Sequence, residues 1–122
     1  MITGSVHSGV AILPLRVRGS RGAIEPFQAI LDTGFNDWLT LSPNQVAMLA
    51  LAFREEGRYV PADGSESVSR LFEAEIEWFG QWRRILVVEM DGGPLVGMAT
   101  LRGCHLDIDV VENGCVEIRP LG

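Results

Sequence analysis

The chain has 122 residues, of which 47% are hydrophobic and 21% are charged, a composition typical of a folded globular domain with its own core. Its formal net charge of −6 at pH 7 argues against nucleic acid or an anionic membrane as a partner, because both need a basic surface. Residues 1–8 contain no basic or long apolar segment, and no apolar run reaches the roughly 20 residues of a membrane-spanning helix. We therefore expect one cytoplasmic domain over residues 1–122.

Two strands are predicted near the N-terminus from the alternation of apolar and polar residues. They run from Val10 to Arg18 and from Ala23 to Leu31, and a glycine-containing turn at residues 18–22 joins them. A shorter strand is predicted over residues 38–41.

A helix is predicted immediately after this short strand. Ser42 is a favourable N-cap, Pro43 suits the first helical position, and Gln45 completes a capping box with Ser42. The predicted buried side consists of three apolar residues, Val46, Leu49 and Ala50. The helix is expected to end near Leu51.

The second half of the chain reads as a hairpin followed by short strands and one more short helix. Two strands, Gly57 to Ala62 and Glu66 to Phe79, flank Asp63-Gly64, a strong hairpin-turn signal. The further predicted elements are a strand from Trp82 to Met90, a short strand at 95–97, a helix over 98–102, a strand carrying Leu106 and Ile108, and a strand from Cys115 to Arg119. Many short strands with one or two short helices indicate a mostly-β, closed or folded-over sheet.

The tripeptide Asp32-Thr33-Gly34 is the main candidate for chemistry. It follows the apolar run 29–31, and a carboxylate at the end of a buried strand needs compensation by hydrogen bonds or charge. Thr33 can form local hydrogen bonds, and Gly34 lets another backbone come close. A tripeptide of this kind also occurs by chance, so Asp32 alone could equally be an ordinary turn residue.

The order of these features is more specific than the tripeptide. A strand enters Asp32-Thr33-Gly34, a strand and a capped helix follow, and a hairpin with Asp63-Gly64 comes next. The segment Pro94-Leu95-Val96-Gly97-Met98 then leads into a short helix. Over Val10 to Arg119 this order resembles the retropepsin-like (clan AA) aspartic proteases, in particular their small bacterial members. The resemblance implies a single-domain retropepsin-like closed β fold in which the hairpin is a flap over the cleft.

The resemblance also implies a function, that of an aspartic endopeptidase. Such enzymes use two carboxylates that share one proton, because two close carboxylates cannot both ionise. This chain has one such motif, so it implies a homodimer in which Asp32 meets its symmetry mate. By resemblance, Thr33 would brace the two loops and Gly34 would admit the substrate backbone. The N-terminal residues and Val116 to Leu121 are expected to be free to pair across the axis.

The expected substrate is a peptide or protein segment bound in extended form, with apolar side chains at the cleaved bond. The cleft residues implied by the resemblance are Phe35, Asp37, Asp63, Gly64, Leu95 and Val96. The aromatic residue after the motif, Phe35, suggests a reshaped substrate subsite. The predicted helix after Gly97 lacks the acidic or amide residue that many members of this family carry there. No cofactor and no metal are implied. The alternative is a non-proteolytic peptide-binding or dimerisation module on the same fold.

Overall fold

Strands make up most of the chain, which confirms the predicted mostly-β class. The computed structural model describes residues 1–59, 63–65 and 67–122. In this part of the chain the strands are β1 (Ile2–His7), β2 (Val10–Arg18), β3 (Ile24–Leu31), β4 (Leu39–Leu41), β5 (Ala52–Tyr59), β6 (Ser67–Trp78), β7 (Gln81–Glu89), β8 (Leu95–Val96), β9 (Cys104–Ile108) and β10 (Cys115–Pro120), and the helices are α1 (Pro43–Met48) and α2 (Met98–Leu101). None of the helices described is long and apolar enough to cross a membrane.

The strands form one sheet in the order β5-β6-β7-β4-β8-β3-β2-β1-β10-β9. An additional antiparallel pairing, Val17 with Ile76, joins β2 to β6 and folds the sheet back onto itself. The alternating apolar residues therefore meet in one core, which includes the fully buried Leu13, Leu41 and Val87. The sheet is folded over because the inner face of each strand is apolar and must be covered.

The capping box of α1 is confirmed. The Ser42 hydroxyl accepts a hydrogen bond from the Gln45 amide at 3.2 Å, and the Gln45 side chain accepts one from the Ser42 amide at 2.8 Å. Val46 and Leu49 are buried as predicted, but Ala50 is exposed and that part of the prediction is wrong. The helix ends at Met48, and the left-handed backbone of Ala50 (φ 49°) turns its Cβ away from the buried face.

The expectation that the terminal strands are free to pair with a second copy is wrong. Within the chain, β1 pairs with β10 through Gly4 and Val116, and β10 also pairs with β9. The reason is the tight β1–β2 turn, where Ser8 and Gly9 have positive φ and bring β1 back beside β2. The free edge of β1 is then available to the C-terminal strand.

The predicted hairpin is present, but its first strand begins at Ala52 rather than Gly57. An irregularity between Phe53 and Glu55 shifts the β5–β6 register by one residue. The predicted strand ends at residues 60–62 and 66 lie outside the described residues. The next turn falls at Phe79 and Gly80, both with positive φ, and leads into β7.

Candidate active site

Asp32 lies immediately beyond the end of β3, on a loop that crosses over the end of β8. β8 runs between β3 and β4, parallel to β3 through Leu31 and Val96 and antiparallel to β4 through Leu39 and Val96. The chain thus leaves β3, forms the Asp32-Thr33-Gly34 loop, and returns as β4 on the other side of β8. This arrangement makes residues 95–97 the support of the loop.

Backbone hydrogen bonds attach the loop to this support at several points. The Asp32 amide donates to the Val96 carbonyl at 2.9 Å, and the Gly97 amide donates to the Trp38 carbonyl at 3.0 Å. Amides at the start of α2 donate to carbonyls of the loop, Met98 to Phe35 at 2.8 Å and Ala99 to Asp37 at 3.2 Å. Unpaired amides of a helix N-terminus need acceptors, and here the loop supplies them.

Gly97 allows this close approach. A Cβ placed on Gly97 would overlap the Asp37 carbonyl oxygen and would lie 2.6 Å from the Phe35 carbonyl oxygen. Both obstacles are backbone atoms, which cannot move aside as a flexible side chain can. Gly97 is therefore required because it packs directly against the backbone of the Asp32 loop.

Thr100 supplies a polar connection that the sequence analysis missed. Its side chain is buried, and its hydroxyl donates to the Trp38 carbonyl at 2.7 Å. Arg83 donates to the Thr100 carbonyl at 3.0 Å, and its guanidinium lies 5.0 Å from the Trp38 ring. Thr100 thus gives the short helix a polar connection to the backbone of the Asp32 loop. A threonine in an otherwise apolar short helix is the signal that could have identified it.

Thr40 performs a similar role at the other end of β8. It is fully buried, and its hydroxyl accepts a hydrogen bond from the Leu95 amide at 2.9 Å. Thr40 and Thr100 are the buried polar residues of the described chain, and both bond to the backbone around the Asp32 loop. Because a buried hydroxyl needs a hydrogen-bond partner, these two hydrogen bonds restrict the loop to one geometry.

The Asp32 side chain is half-buried, whereas Thr33 and Gly34 are exposed at the surface of the loop. One carboxylate oxygen of Asp32 accepts a hydrogen bond from the Gly34 amide at 2.9 Å. This bond orients the carboxylate without burying it. The motif therefore presents an acid or base at a defined position, with two small neighbours that leave room beside it.

Two of the residues expected in the cleft are buried instead. Phe35 is only 8% exposed and its ring lies against Gly97, so it supports the loop from beneath. Val96 is 0% exposed because it pairs with strands on both sides and its side chain points into the core. The expectation that these two side chains contact a substrate is corrected, while Leu95 remains half-buried.

Asp37 lies where the loop faces the β5–β6 hairpin. It is exposed, and it lines a cavity of about 140 Å³ together with hairpin and β7 residues. The other lining residues are Gly57, Arg58, Ser69, Leu71, Leu86 and Val88. A larger cavity of about 250 Å³ is lined by Trp38, Arg54 and Glu73 among others and includes no residue of the Asp32 motif.

Asp63 and Gly64 form an exposed turn at the hairpin tip. Gly64 has a φ of +81°, as the Asp-Gly signal predicts. The Ser65 hydroxyl donates to Asp63 at 2.7 Å and the Ser65 amide at 2.9 Å, and these bonds hold the pKa of the Asp63 carboxyl below its ordinary value. The Asp63 carboxylate thus stabilises its own turn.

A second polar constellation lies at the β1–β2 end of the sheet. Ser5 and His7 are hydrogen-bonded at 2.8 Å, and His7 lies 3.4 Å from a carboxylate oxygen of Glu112. The order of groups is that of a serine hydrolase triad. Ser5 lies inside β1, however, paired with β2 and β10, and the next amide, Val6, donates to Gly114. The local backbone amides are therefore used in pairing and form no oxyanion hole.

No protein-family model matches the chain, and no curated protein matches it. Among the described residues, no group of three or more His, Cys, Asp or Glu side chains could hold a metal ion.

Proposed function

We propose that the protein is a retropepsin-like aspartic endopeptidase that acts as a homodimer. The observation that carries the proposal is the anchored Asp32 loop. Its carboxylate is oriented by the Gly34 amide, and the loop is supported by β8 and α2 on its inner side. A carboxylate held in this way on a rigid support suits general acid–base chemistry, which requires accurate positioning.

In the proposed reaction, each chain contributes one Asp32. The ionised carboxylate of one chain takes a proton from a water molecule, and the resulting hydroxide attacks the peptide carbonyl carbon. The protonated Asp32 of the partner subunit donates its proton to the carbonyl oxygen, which gives a neutral tetrahedral intermediate. The first Asp32, now protonated, then transfers its proton to the leaving nitrogen while the carboxylate of Asp32 of the partner subunit takes a proton from one hydroxyl of the intermediate. The carbonyl re-forms, the C–N bond breaks, and the pair again holds one shared proton.

The space between loop and hairpin supports an extended peptide as substrate. The 140 Å³ cavity next to Asp37 has a mixed lining, in which Leu71, Leu86 and Val88 form an apolar part that suits an apolar side chain. At the tip of the same hairpin Asp63, Gly64 and Ser65 are exposed, which suits a cover that opens and closes.

The test is cleavage of an unstructured protein such as casein by the purified chain. We expect cleavage that a pepstatin-type inhibitor blocks and that is fastest at acid to mildly acidic pH. The shared proton is lost above the upper apparent pKa of the carboxylate pair, so activity should fall towards neutral and alkaline pH. A rate that keeps rising through about pH 8 would contradict a carboxylate pair. Binding of casein without cleavage would favour the non-proteolytic peptide-binding module.

A further inference from the structure

One face of β6 carries a row of glutamates, each of which pairs with an arginine of a neighbouring strand. Positions 73, 75 and 77 share this face, because alternate residues of a strand point to the same side. The arginines come from β2 and β5. The ion pairs are Arg16–Glu77, Arg18–Glu75 at 3.0 Å and Arg54–Glu73 at 3.3 Å. The acidic charge of this face is therefore balanced within the chain.

Arg84 is a fourth arginine on the same face, where it lies opposite Glu75 in the β6–β7 register. Arg18 already holds the Glu75 carboxylate, through Nε at 3.1 Å and Nη2 at 3.0 Å, and its guanidinium lies 4.3 Å from the centre of the Trp82 ring. Among the described residues, Arg84 forms neither an ion pair nor a side-chain hydrogen bond. The face thus keeps one uncompensated positive charge, in a chain whose formal net charge is −6.

Arg84 lines two cavities that lie side by side along this face. The first has a volume of about 250 Å³, and its lining includes the half-buried side chains of Trp38 and Leu86. The second has a volume of about 270 Å³ and shares Arg84, Glu73 and Ala74 with the first. The unpaired guanidinium therefore stands where the two cavities meet.

The first cavity adjoins the space between the Asp32 loop and the hairpin. Leu86 lines both this cavity and the 140 Å³ cavity that contains Asp37 and Val88. From Val88 to Arg84, β7 advances by roughly 13 Å, which an extended peptide covers with about four residues. A peptide that lies over Asp37 can therefore reach Arg84 along the same face of the sheet.

We propose that Arg84 binds the carboxylate of a glutamate or aspartate in the peptide substrate, about four residues from the side chain that occupies the cavity at Asp37. A guanidinium suits this ligand because it can donate two parallel hydrogen bonds to a planar carboxylate. Trp38 and Leu86 provide apolar surface for the methylene groups of the acidic side chain. Arg54 lines the same cavity and keeps the charge of Glu73 from repelling the ligand.

The first experiment measures peptide binding by fluorescence anisotropy with the Asp32→Asn variant, so that the labelled peptide stays intact. The peptides carry glutamate or glutamine about four residues from a central leucine, on either its amino or its carboxyl side. At one of these placements the glutamate peptide should bind about fivefold more tightly than the glutamine peptide, which is the gain expected of a partly exposed ion pair. Equal affinities at both placements would overturn the proposal.

Charge reversal at Arg84 tests whether this residue carries the preference. Arg84→Glu should bind a peptide with lysine at the same placement more tightly than the glutamine peptide. Arg84→Gln should bind the glutamate and glutamine peptides equally. Arg119→Glu makes the same change of charge at an exposed β10 residue that lines none of these three cavities, and it should keep the wild-type preference. A glutamate preference that persists in Arg84→Gln would overturn the proposal.

The inference rests on the proposed function and names its substrate class, and cleavage by the wild-type chain tests the two separately. In Arg84→Gln, KM for the glutamate peptide should rise about fivefold with little change in kcat, because the lost contact is the same in the ground state and the transition state. Preferential binding of the glutamate peptide without cleavage would contradict the endopeptidase and leave the Arg84 site standing. Cleavage of the glutamate and glutamine peptides with equal KM would overturn the Arg84 site and leave the endopeptidase standing.

Discussion

The loop that carries Asp32 and the tip of the facing hairpin each depend on a glycine, but for opposite reasons. Gly97 is packed so closely beneath the loop that a Cβ would lie 2.6 Å from the Phe35 carbonyl oxygen. A Cβ built on Gly64 would meet no atom of the described residues within 4 Å, apart from its chain neighbours, and a glycine suits this position because its φ is +81°. Gly97 is required by its close contact with residues distant in sequence, whereas Gly64 is required by its own backbone conformation.

The same contrast holds for the hydrogen bonds of the two regions. The loop is attached to β8 and α2 by backbone bonds and by the buried hydroxyls of Thr40 and Thr100. Among the described residues of the tip, Asp63 accepts hydrogen bonds from its near neighbour Ser65. Regions with few buried contacts open at low free-energy cost, whereas densely bonded regions open only with the whole fold. Mutation of the residues that support the loop should therefore lower stability, whereas mutation of the tip should lower activity.

The largest expected effect is loss of activity in Asp32→Asn. The amide preserves the size of the side chain but cannot act as the base, so peptide cleavage should fall by roughly 10²–10⁴-fold while the melting temperature stays unchanged. Asp91→Asn, at an exposed Asp-Gly site outside the loop, is the matched control and should retain full activity. Activity of Asp32→Asn within a few-fold of wild type would exclude Asp32 as the catalytic group.

Gly97→Ala should have the largest effect on stability. The added methyl group must displace backbone atoms of Phe35 and Asp37, and overpacking of this kind costs about 1–3 kcal/mol. Thermal melts measure the loss, with Gly122→Ala as a control at an open position. An unchanged melting temperature for Gly97→Ala would show that the loop and α2 are less tightly packed than their contacts indicate.

Thr100→Val tests the buried hydroxyl that bonds to the Trp38 carbonyl. The replacement has a similar shape but removes one of the two hydrogen bonds that the Trp38 carbonyl accepts, the other coming from the Gly97 amide, and loss of one such bond costs about 0.5–1.5 kcal/mol. Thr100→Ser keeps the hydroxyl and should lose clearly less stability in the same denaturant titration. If serine and valine variants were equally unstable, packing rather than the hydrogen bond would be the important contribution.

Gly64→Val should reduce turnover more than it reduces stability. A β-branched residue resists the positive φ, so the tip would change conformation, while the exposed tip contributes little to packing. Gly64→Asn, which tolerates positive φ, should remain close to wild type in peptide kinetics. Normal melting together with normal cleavage by the valine variant would mean that the hairpin is not a catalytic flap.

The smallest expected effect is the titration of Asp63. Its pKa is depressed in the folded chain, so the bonds from Ser65 stabilise the turn above the ordinary carboxyl pKa and are lost as the pH falls through the depressed value. The Ser65 amide resonance should shift in that acid range, and Asp63→Asn should remove the shift. A Ser65 resonance that titrates at the ordinary carboxyl pKa would contradict the turn geometry.

Features that depend on residues close in sequence were predicted correctly. The capping box joins Ser42 to Gln45, and the hairpin turn depends on Asp63 and Gly64. The alternating segments likewise became strands, because a side-chain period of two places every second residue on the core side. Local conformational preference is sufficient for these elements.

The tertiary structure alone decided how these elements combine. Thr100 bonds to Trp38, 62 positions away, and β1 pairs with β10 from the opposite end of the chain. No local period encodes such contacts, so the sequence indicated neither the role of Thr100 nor the loss of the terminal strands as dimer edges. Phe35 and Val96 are recognisable as apolar, but only the insertion of β8 between β3 and β4 determines that they face inward. Asp32 was identifiable from its motif, whereas β8 and α2, which support it, come to lie beside the motif only when the whole chain folds.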